Sequence, residues 1–327
     1  MKNISSFINH LLSEVDSQVG KVKIPRDKFD DLREKYEVDI SDLSDSGIVI
    51  EISDQVSIGI SDPPINMGDV VKAIDATTFF KKAEHLFSVS STNDFAKELI
   101  EMDKNDLDGL LIVAEHQTSG RGRFKRKWFS QGFAGIYTTF LLRPFFPLEK
   151  LQLITLITGL SVKKTLMEIN PEFERLLDIK WPNDVLIGGR KVCGILTETI
   201  SRGNGIEYVI VGVGINVNQN RFAPQIERFA TSLYRESGRK FDRTAILVKL
   251  LNYINFYFEG LRNEKFSHLI SEWERESSYA YRKKIKYFEK AKPIMGTTDG
   301  LDENGYLKIK LSSGGTTKIM SGEIFEF

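Results

Sequence analysis

The sequence predicts an α+β protein of three units, and three observations carry that expectation. Residues 1–66 hold two short helical patterns followed by a β hairpin. Residues 67–280 mix apolar helix faces with short, continuously apolar strands. From about Tyr281, residues 281–327 change texture to short β runs separated by glycine turns, the spacing of a small barrel. A chain of 327 residues is long enough for this division, with a sizeable core in the largest unit.

Composition narrows the function classes. Lys+Arg and Asp+Glu number 45 each, so no overall field points to nucleic acid or to a membrane surface. No apolar run approaches the ~20 residues of a membrane helix. Polar and acidic residues interrupt the opening MKNISSFINHLLSEVDSQ, so a secretory signal is not expected. The single cysteine, Cys193, excludes an internal disulfide framework, and the cytoplasm is the expected compartment.

In chain order, Ile4, Phe7, Ile8, Leu11, Leu12, Val15 and Val19 recur at spacings of three and four, one apolar helix face over residues 4–19. Pro25 occupies a first-turn position of a second helix, with Phe29, Leu32 and Tyr36 inward. IVIEIS and VSIGIS flank Asp54-Gln55 as the arms of a hairpin, and Pro63-Pro64 close the unit. Seven Lys/Arg stand against thirteen Asp/Glu in residues 1–66, a net of −6 and the wrong sign for DNA phosphates.

Asp69–Phe80 reads as a helix feeding a strand at His85–Val89. Ser91-Thr92-Asn93 then open a helix through Leu99, where Ser and Asn also suit an N-cap. Leu110–Ala114 is a short buried-type strand leading to Gln117, which can donate and accept at once. Next to it, His116 is one of four scattered histidines, no pair of which has metal-ligand spacing.

Residues 117–128, QTSGRGRFKRKW, place five Arg/Lys and two glycines in a dozen residues. Gly120 and Gly122 let backbone N–H groups turn toward an anion, and Arg121 and Arg123 supply planar forks for carboxylate or phosphate oxygens. Basic runs are usually solvated turns, and three later stretches argue otherwise here. They are Ile179–Asp184 (IKWPND), Arg190–Glu198 (RKVCGILTE) and Val209–Val217 (VIVGVGINV).

Between these, Gly135–Leu142 is a strand and Leu148–Ile169 a mostly apolar helix. Pro182 fixes φ at a strand end, and Asn183 and Asp184 put an amide and a carboxylate just beyond it. Gly188-Gly189 forms a hairpin turn that delivers Lys191 to the next strand. The Gly-x-Gly of VIVGVGINV lies inside a strand with no helix start after it, so it is not a dinucleotide fingerprint; it admits close approach of a ligand or neighbouring chain. Asp242–Leu261 and Phe266–Glu276 read as amphipathic scaffold helices.

Together with Ser91-Thr92-Asn93, these motifs and their order resemble the biotin protein ligases over roughly residues 67–327. The resemblance implies a biotin/lipoyl ligase-like catalytic domain, a mixed sheet flanked by helices as in class II aminoacyl-tRNA synthetases. It implies a closing Src-homology-3-like barrel, with Ser321-Gly322-Glu323 as its recurring motif, and a degenerate winged-helix-like unit in front. In that unit the acidic EVDISDLSDSG stands where a basic recognition helix would lie.

The activity implied is formation of biotinoyl-5'-AMP from biotin and ATP with Mg2+, then transfer of biotin to a lysine of an acetyl-CoA carboxylase carrier domain. For biotin the resemblance implies Ser91, Thr92, Asn93, Gln117, Arg121, Gly122, Arg123, Lys191 and Gly194. For the adenylate it implies Arg123, Lys127, Trp128, Asn183, Asp184, Gly214 and Asn216, with Lys191, Arg123 and Arg121 catalytic and no metal ligand assigned. Ser90 stands where the family usually has Asp. The basic loop is expected to order over the reactive intermediate once its anion arrives. The carrier is the expected macromolecular partner, a homodimer is allowed, and neither DNA nor a membrane is expected. The alternatives are a bifunctional ligase and biotin-operon repressor, and a lipoate or octanoate ligase with Cys193 as a weak nucleophile candidate.

Overall fold

The computed structural model describes residues 4–13, 21–43, 46–102, 106–203, 205–289 and 292–326. Helix α1 (Ile4–Ser13) buries Phe7, Ile8, Leu11 and Leu12, as its spacing requires; Val15 and Val19 lie outside the described residues. Strand β1 (Lys21–Pro25) follows, and Pro25 ends it as the N-cap of α2 (Arg26–Tyr36) instead of sitting inside the helix. The alternation of KVKIP carried that strand. A single 3-10 turn, Ile40–Leu43, precedes the hairpin of β2 (Ile48–Ile52) and β3 (Gln55–Ile60). The three strands form one antiparallel sheet in the order β1-β3-β2.

Helix α3 (Met67–Asp75) starts at Asn66, whose Oδ1 accepts from the Gly68 and Asp69 N–H groups. It ends earlier than Phe80 because Thr78 and Phe79 donate their N–H groups to Asn255 Oδ1 and turn Phe79 and Phe80 into the core. Then come β4 (Lys82–Val89), α4 (Thr92–Glu101), β5 (Leu110–Gln117), β6 (Gly135–Leu142) and α5 (Leu151–Ile169). Strands β7 (Leu177–Lys180), β8 (Asp184–Ile187), β9 (Arg190–Arg202) and β10 (Gly205–Asn216) complete a seven-stranded sheet ordered β4-β5-β6-β10-β9-β8-β7. Only the β4/β5 pairing is parallel, so the sheet is mixed.

Period two divides the sheet residues between two faces. Leu111 and Val113 of β5 and Val209 and Val211 of β10 enter the large core, against α5 and, after the short α6 (Leu233–Ser237), α7 (Arg243–Arg262) and α8 (Phe266–Glu276). Leu110 and Ile112, with Tyr208 and Ile210, meet Ala96 and Ile100 of α4 on the opposite face. That α4 face carries the cavity described below.

Strands β11 (Tyr281–Glu289), β12 (Lys292–Leu301), β13 (Leu307–Leu311), β14 (Thr316–Ile319) and β15 (Ile324–Glu326) form an antiparallel sheet, ordered β14-β13-β12-β11-β15. Ile285, Leu301, Leu307 and Ile309 belong to the same core cluster as α5, and Trp181 Nε1 donates to Gly305 O at 3.2 Å. The C-terminal unit is thus docked through shared apolar burial, as its small size demands. Among the described residues no helix is long and apolar enough to cross a membrane.

Candidate functional site

A cavity of about 570 Å3 opens on the α4 side of the large sheet, roofed by the 117–128 loop and walled on one side by the C-terminal unit. It gathers every residue that the resemblance implies for biotin or the adenylate. Ser91, Thr92, Asn93 and Gln117 line one end; Arg121, Gly122, Arg123, Lys127 and Trp128 come from the loop; Asn183, Asp184, Lys191, Gly194, Gly214 and Asn216 complete it.

Its floor is made of glycine. Gly194 of β9 pairs with Gly214 of β10, and a Cβ on either would come within 2.7 or 2.5 Å of the Trp128 ring. Two residues along β10, a Cβ on Gly212 would lie 2.3 Å from Asn93 Oδ1. The close approach that in-strand glycines permit is taken up by Trp128 and Asn93.

The first end is a neutral hydrogen-bond network. Gln117 Oε1 accepts from the Thr92 N–H at 2.9 Å and its hydroxyl at 3.2 Å, while Gln117 Nε2 donates to Ser130 Oγ at 2.9 Å. Thr139 Oγ1 lies 2.7 Å from both Thr92 Oγ1 and Asn93 Oδ1. Ser91 is the N-cap residue of α4, yet its hydroxyl makes no capping bond. Thr92 and Asn93 thus join the cavity network, and Ser91 lines the cavity without capping the helix through its side chain.

The second end is charged. Lys191 Nζ lies 2.7 Å from Asp184 Oδ2, and Arg123 Nη1 donates to Asn183 Oδ1 at 3.2 Å and to Gly322 O at 2.9 Å. Burial pushes the Arg123 and Lys180 pKa values down, against the pull of Asp184 and Glu323. Four buried polar atoms lining the cavity have no partner among the described residues: Arg121 Nε, Trp128 Nε1, Asp184 Oδ1 and Asn216 Oδ1. Each such atom costs about 1–3 kcal/mol if left unmet, so a polar ligand has standing partners here.

The basic loop is tied down within the chain. It closes on itself through Gly122 N–H to Arg126 O and Trp128 N–H to Gly120 O, both 2.8 Å. Arg121 Nη2 meets Glu198 Oε2 at 2.6 Å and Asp94 Oδ1 at 3.0 Å. Arg126 grips both oxygens of Glu323, at 2.8 and 2.6 Å. The like-charge repulsion that the composition alone suggests is thus opposed by carboxylates from three other elements. Burial alone would raise the Glu198 pKa, but hydrogen bonds from Lys97 and Asn93 and the charges of Lys97 and Arg121 outweigh it and hold that carboxyl below the usual range.

A family model described as the biotin/lipoate A/B protein ligase family matches residues 86–216. The bifunctional ligase/repressor BirA of Bacillus subtilis is 36% identical over 242 residues, 72% of this chain and 71% of that protein. The biotin--[acetyl-CoA-carboxylase] ligase of Mycobacterium tuberculosis is 30% identical over 218 residues, 66% of this chain and 78% of that one. The chain belongs to the biotin protein ligase family. A solved biotin protein ligase from Aquifex aeolicus, in complex with biotin and ATP, superposes with a TM-score of 0.65 at 36% identity, over 75% of this chain and 98% of that one.

Several residues in or behind the cavity of this family member escaped the sequence reading. Glu198, which holds Arg121 and Asn93 from behind the cavity, stands in RKVCGILTE on the same strand face as Gly194 and Leu196, so period two could have found it. Glu323 and Phe325 line the cavity from the C-terminal unit, and Phe222, Ile226 and Phe229 line it from a stretch without periodicity, which gave no signal. Cys193 points into the large core, where burial raises its thiol pKa well above the ordinary value. A thiol so held is a poor nucleophile.

Proposed function

We propose that this protein is an ATP-dependent, AMP-forming biotin--[acetyl-CoA-carboxylase] ligase acting in the cytoplasm, and that the cavity is its active site. The observation that carries this is one cavity with two unlike ends: a neutral donor-and-acceptor network suited to a ureido ring, and a charged end suited to phosphates. Ser91, Thr92, Asn93 and Gln117 would hold the biotin head, whose ureido group needs paired donors and acceptors. Asn183, Asp184, Asn216, Lys127 and the Trp128 indole would face the adenylate, across the Gly194/Gly214 floor.

In the first step a biotin carboxylate oxygen attacks the α-phosphorus of ATP, and pyrophosphate leaves. Two anions must meet, and Arg121, Arg123 and Lys191 would offset that charge and align the attack. In the second step the neutral amine of the carrier lysine attacks the acyl carbon and AMP leaves, with no covalent enzyme intermediate. The high thiol pKa of Cys193 agrees with that route. The unpartnered oxygens of Asp184 and Asn216 fit Mg2+, which prefers oxygen ligands and completes its shell with phosphates and water. Mg2+ there would neutralise phosphate charge. Among the described residues no group of three or more His, Cys, Asp or Glu forms a cage of its own.

Incubation with biotin, α-phosphate-labelled ATP and candidate carrier domains tests the reading, with lipoate as the control acid. Labelled biotinoyl-AMP and a biotinylated carrier are expected; equal or better turnover of lipoate would overturn it. DNA is left out of the proposal. Where a recognition helix would stand, the described residues form one 3-10 turn, Ile40–Leu43, in a unit of net charge −6. Anisotropy titration with DNA from upstream of biotin-synthesis genes, run with biotinoyl-AMP present, is expected to show no salt-sensitive, sequence-specific binding.

A further inference from the structure

The seam between the N-terminal unit and the catalytic sheet runs behind the neutral end of the cavity. Phe133 is fully buried, and its ring belongs to the core of the N-terminal unit, with Phe7, Phe29, Val56 and Ile58. Its backbone belongs to the catalytic unit, where its N–H donates to Glu115 O at 3.0 Å, two residues before Gln117. To reach both, Phe133 takes φ +57, a left-handed conformation that bulky side chains rarely adopt. Such a conformation persists only where the surroundings over-determine it.

The preceding residue closes the seam. A Cβ on Gly132 would fall 1.8 Å from Ser46 O, and one on Gly47 would fall 2.3 Å from Gly132 O, so the two backbones touch with no side chain between. On the other side of Phe133, Ala134 O accepts from the Asn218 N–H at 2.7 Å. Three residues before Phe133, Ser130 Oγ receives the Gln117 amide. Asn9 of α1 adds a second tie by exchanging two hydrogen bonds, of 3.2 and 3.0 Å, with the backbone of Ser88 on β4.

We propose that Phe133 is a positioning residue for the biotin end of the site: its ring, locked in the N-terminal core, holds the 130–134 wall so that Ser130 keeps Gln117 aimed at Thr92. Residues 1–66 then serve the ligase reaction itself, as the brace of one substrate's half-site. The charged end has a different brace, because Arg123 and Arg126 are tied to Gly322 and Glu323 of the C-terminal unit. Loosening the N-terminal seam therefore disturbs one substrate and spares the other.

The inference rests on reading the neutral end as the biotin end, and the experiment separates the two. In the full-length protein, Phe133→Ala is compared with wild type and with the conservative Phe133→Leu by pyrophosphate release, varying each substrate in turn. Phe133→Ala is expected to raise the KM for biotin about tenfold or more, with the KM for ATP and kcat within about twofold, and Phe133→Leu to recover most of the loss. A merely structural role would lower the active fraction, and with it kcat, leaving both KM values unchanged; that outcome, or equal rises in both KM values, overturns the proposal. Should Phe133→Ala fail to fold, Gly132→Ala opens the same seam without touching either core, and the same split decides. Should wild type use lipoate and not biotin, the substrate reading fails, and the KM comparison made with lipoate still decides the role of Phe133.

Discussion

The two ends of the cavity solve opposite problems. The neutral end is linked largely within itself: Thr92, Asn93, Gln117, Ser130 and Thr139 bond one another at 2.7–3.2 Å, and its one tie to a charged group is Asn93 Nδ2 to Glu198 at 2.8 Å. The charged end is assembled from ion pairs between different elements, Lys191 with Asp184 across the β8–β9 hairpin and Arg126 with Glu323 from 197 residues away, plus polar atoms that meet no partner among the described residues. A network of neutral groups discriminates by position, so it must be held rigid by packing behind it. Parked cations discriminate by charge, and a carboxylate partner can be exchanged for a phosphate with little rearrangement. Helix α2 supplies the contrast: its Arg26 and Asp30 also pair, but locally and with both side chains more than half exposed, and such pairs contribute almost nothing.

The sharpest way to break this comparison is at the floor of the charged end. On the proposed reading, Lys191→Ala lowers the rate of adenylate formation about a hundredfold or more. The melting temperature should move by no more than about 3 °C, since the side chain is a third exposed beside a turn. Arg26→Ala, which removes an ion pair of the local, exposed kind, should leave both quantities as they were. Near-normal pyrophosphate release from Lys191→Ala would move the anion-stabilising role to another residue.

Much of the charged end was legible in the sequence because its residues sit in dense, unusual strings: GRGR, KWPND, and Lys191 just after a Gly-Gly turn. Element types were equally readable, since helix and strand periods survive in α1, α7, α8 and the buried strands. What escaped was set by partners distant in the chain. Glu198, Ser130, Thr139 and Glu323 matter through what they touch, and nothing local marks a threonine on β6 as the neighbour of Asn93 on α4. The early end of α3 is of the same kind, dictated by Asn255 some 177 residues on. β1 was missed because Pro25 read as a helix start, although the strand ends on that residue.

Behind the neutral end, acid should weaken the protein through His116. Burial pushes its imidazole down from the ordinary 6.5 to about 4, and Ser88 Oγ lies 3.1 Å from its Nδ1. The unfolded chain binds a proton near pH 6.5 and the folded chain only near 4, so His116 destabilises progressively as pH falls between those values. The loss approaches about 3 kcal/mol at the acid end. His116→Gln, which cannot titrate, should flatten the melting temperature between pH 6.5 and 4.5 relative to wild type. Parallel curves for the two proteins would show that protonation of His116 is not what acid acts on.

The clasp between the basic loop and the C-terminal unit gives a smaller effect. Phe124 stands at the loop tip, 63% exposed, where chymotrypsin can reach it. Glu323→Arg replaces the carboxylate that grips Arg126 with a like charge, and should speed cleavage at Phe124 about threefold to tenfold. Adding Arg126→Glu reverses the pair and should bring the rate back to within about twofold. Cleavage that ignores both changes would mean that the loop is held by its own backbone bonds alone.

The smallest effect lies within the loop. Phe124 and Lys125 follow one another in left-handed conformation, with φ +55 and +59, and Lys125 is exposed with no ion pair among the described residues. A non-glycine residue in this region costs about 1 kcal/mol, and glycine would remove that cost while adding freedom to the unfolded chain. The two terms nearly cancel, which leaves Lys125→Gly more stable by about 0.5 kcal/mol, a rise of about 1 °C in a chain of this size. Because Lys125 does not line the cavity, the KM values for biotin and ATP should stay within about twofold of wild type. A clear fall in melting temperature would show that the lysine side chain contributes something at the tip that outweighs its strained backbone.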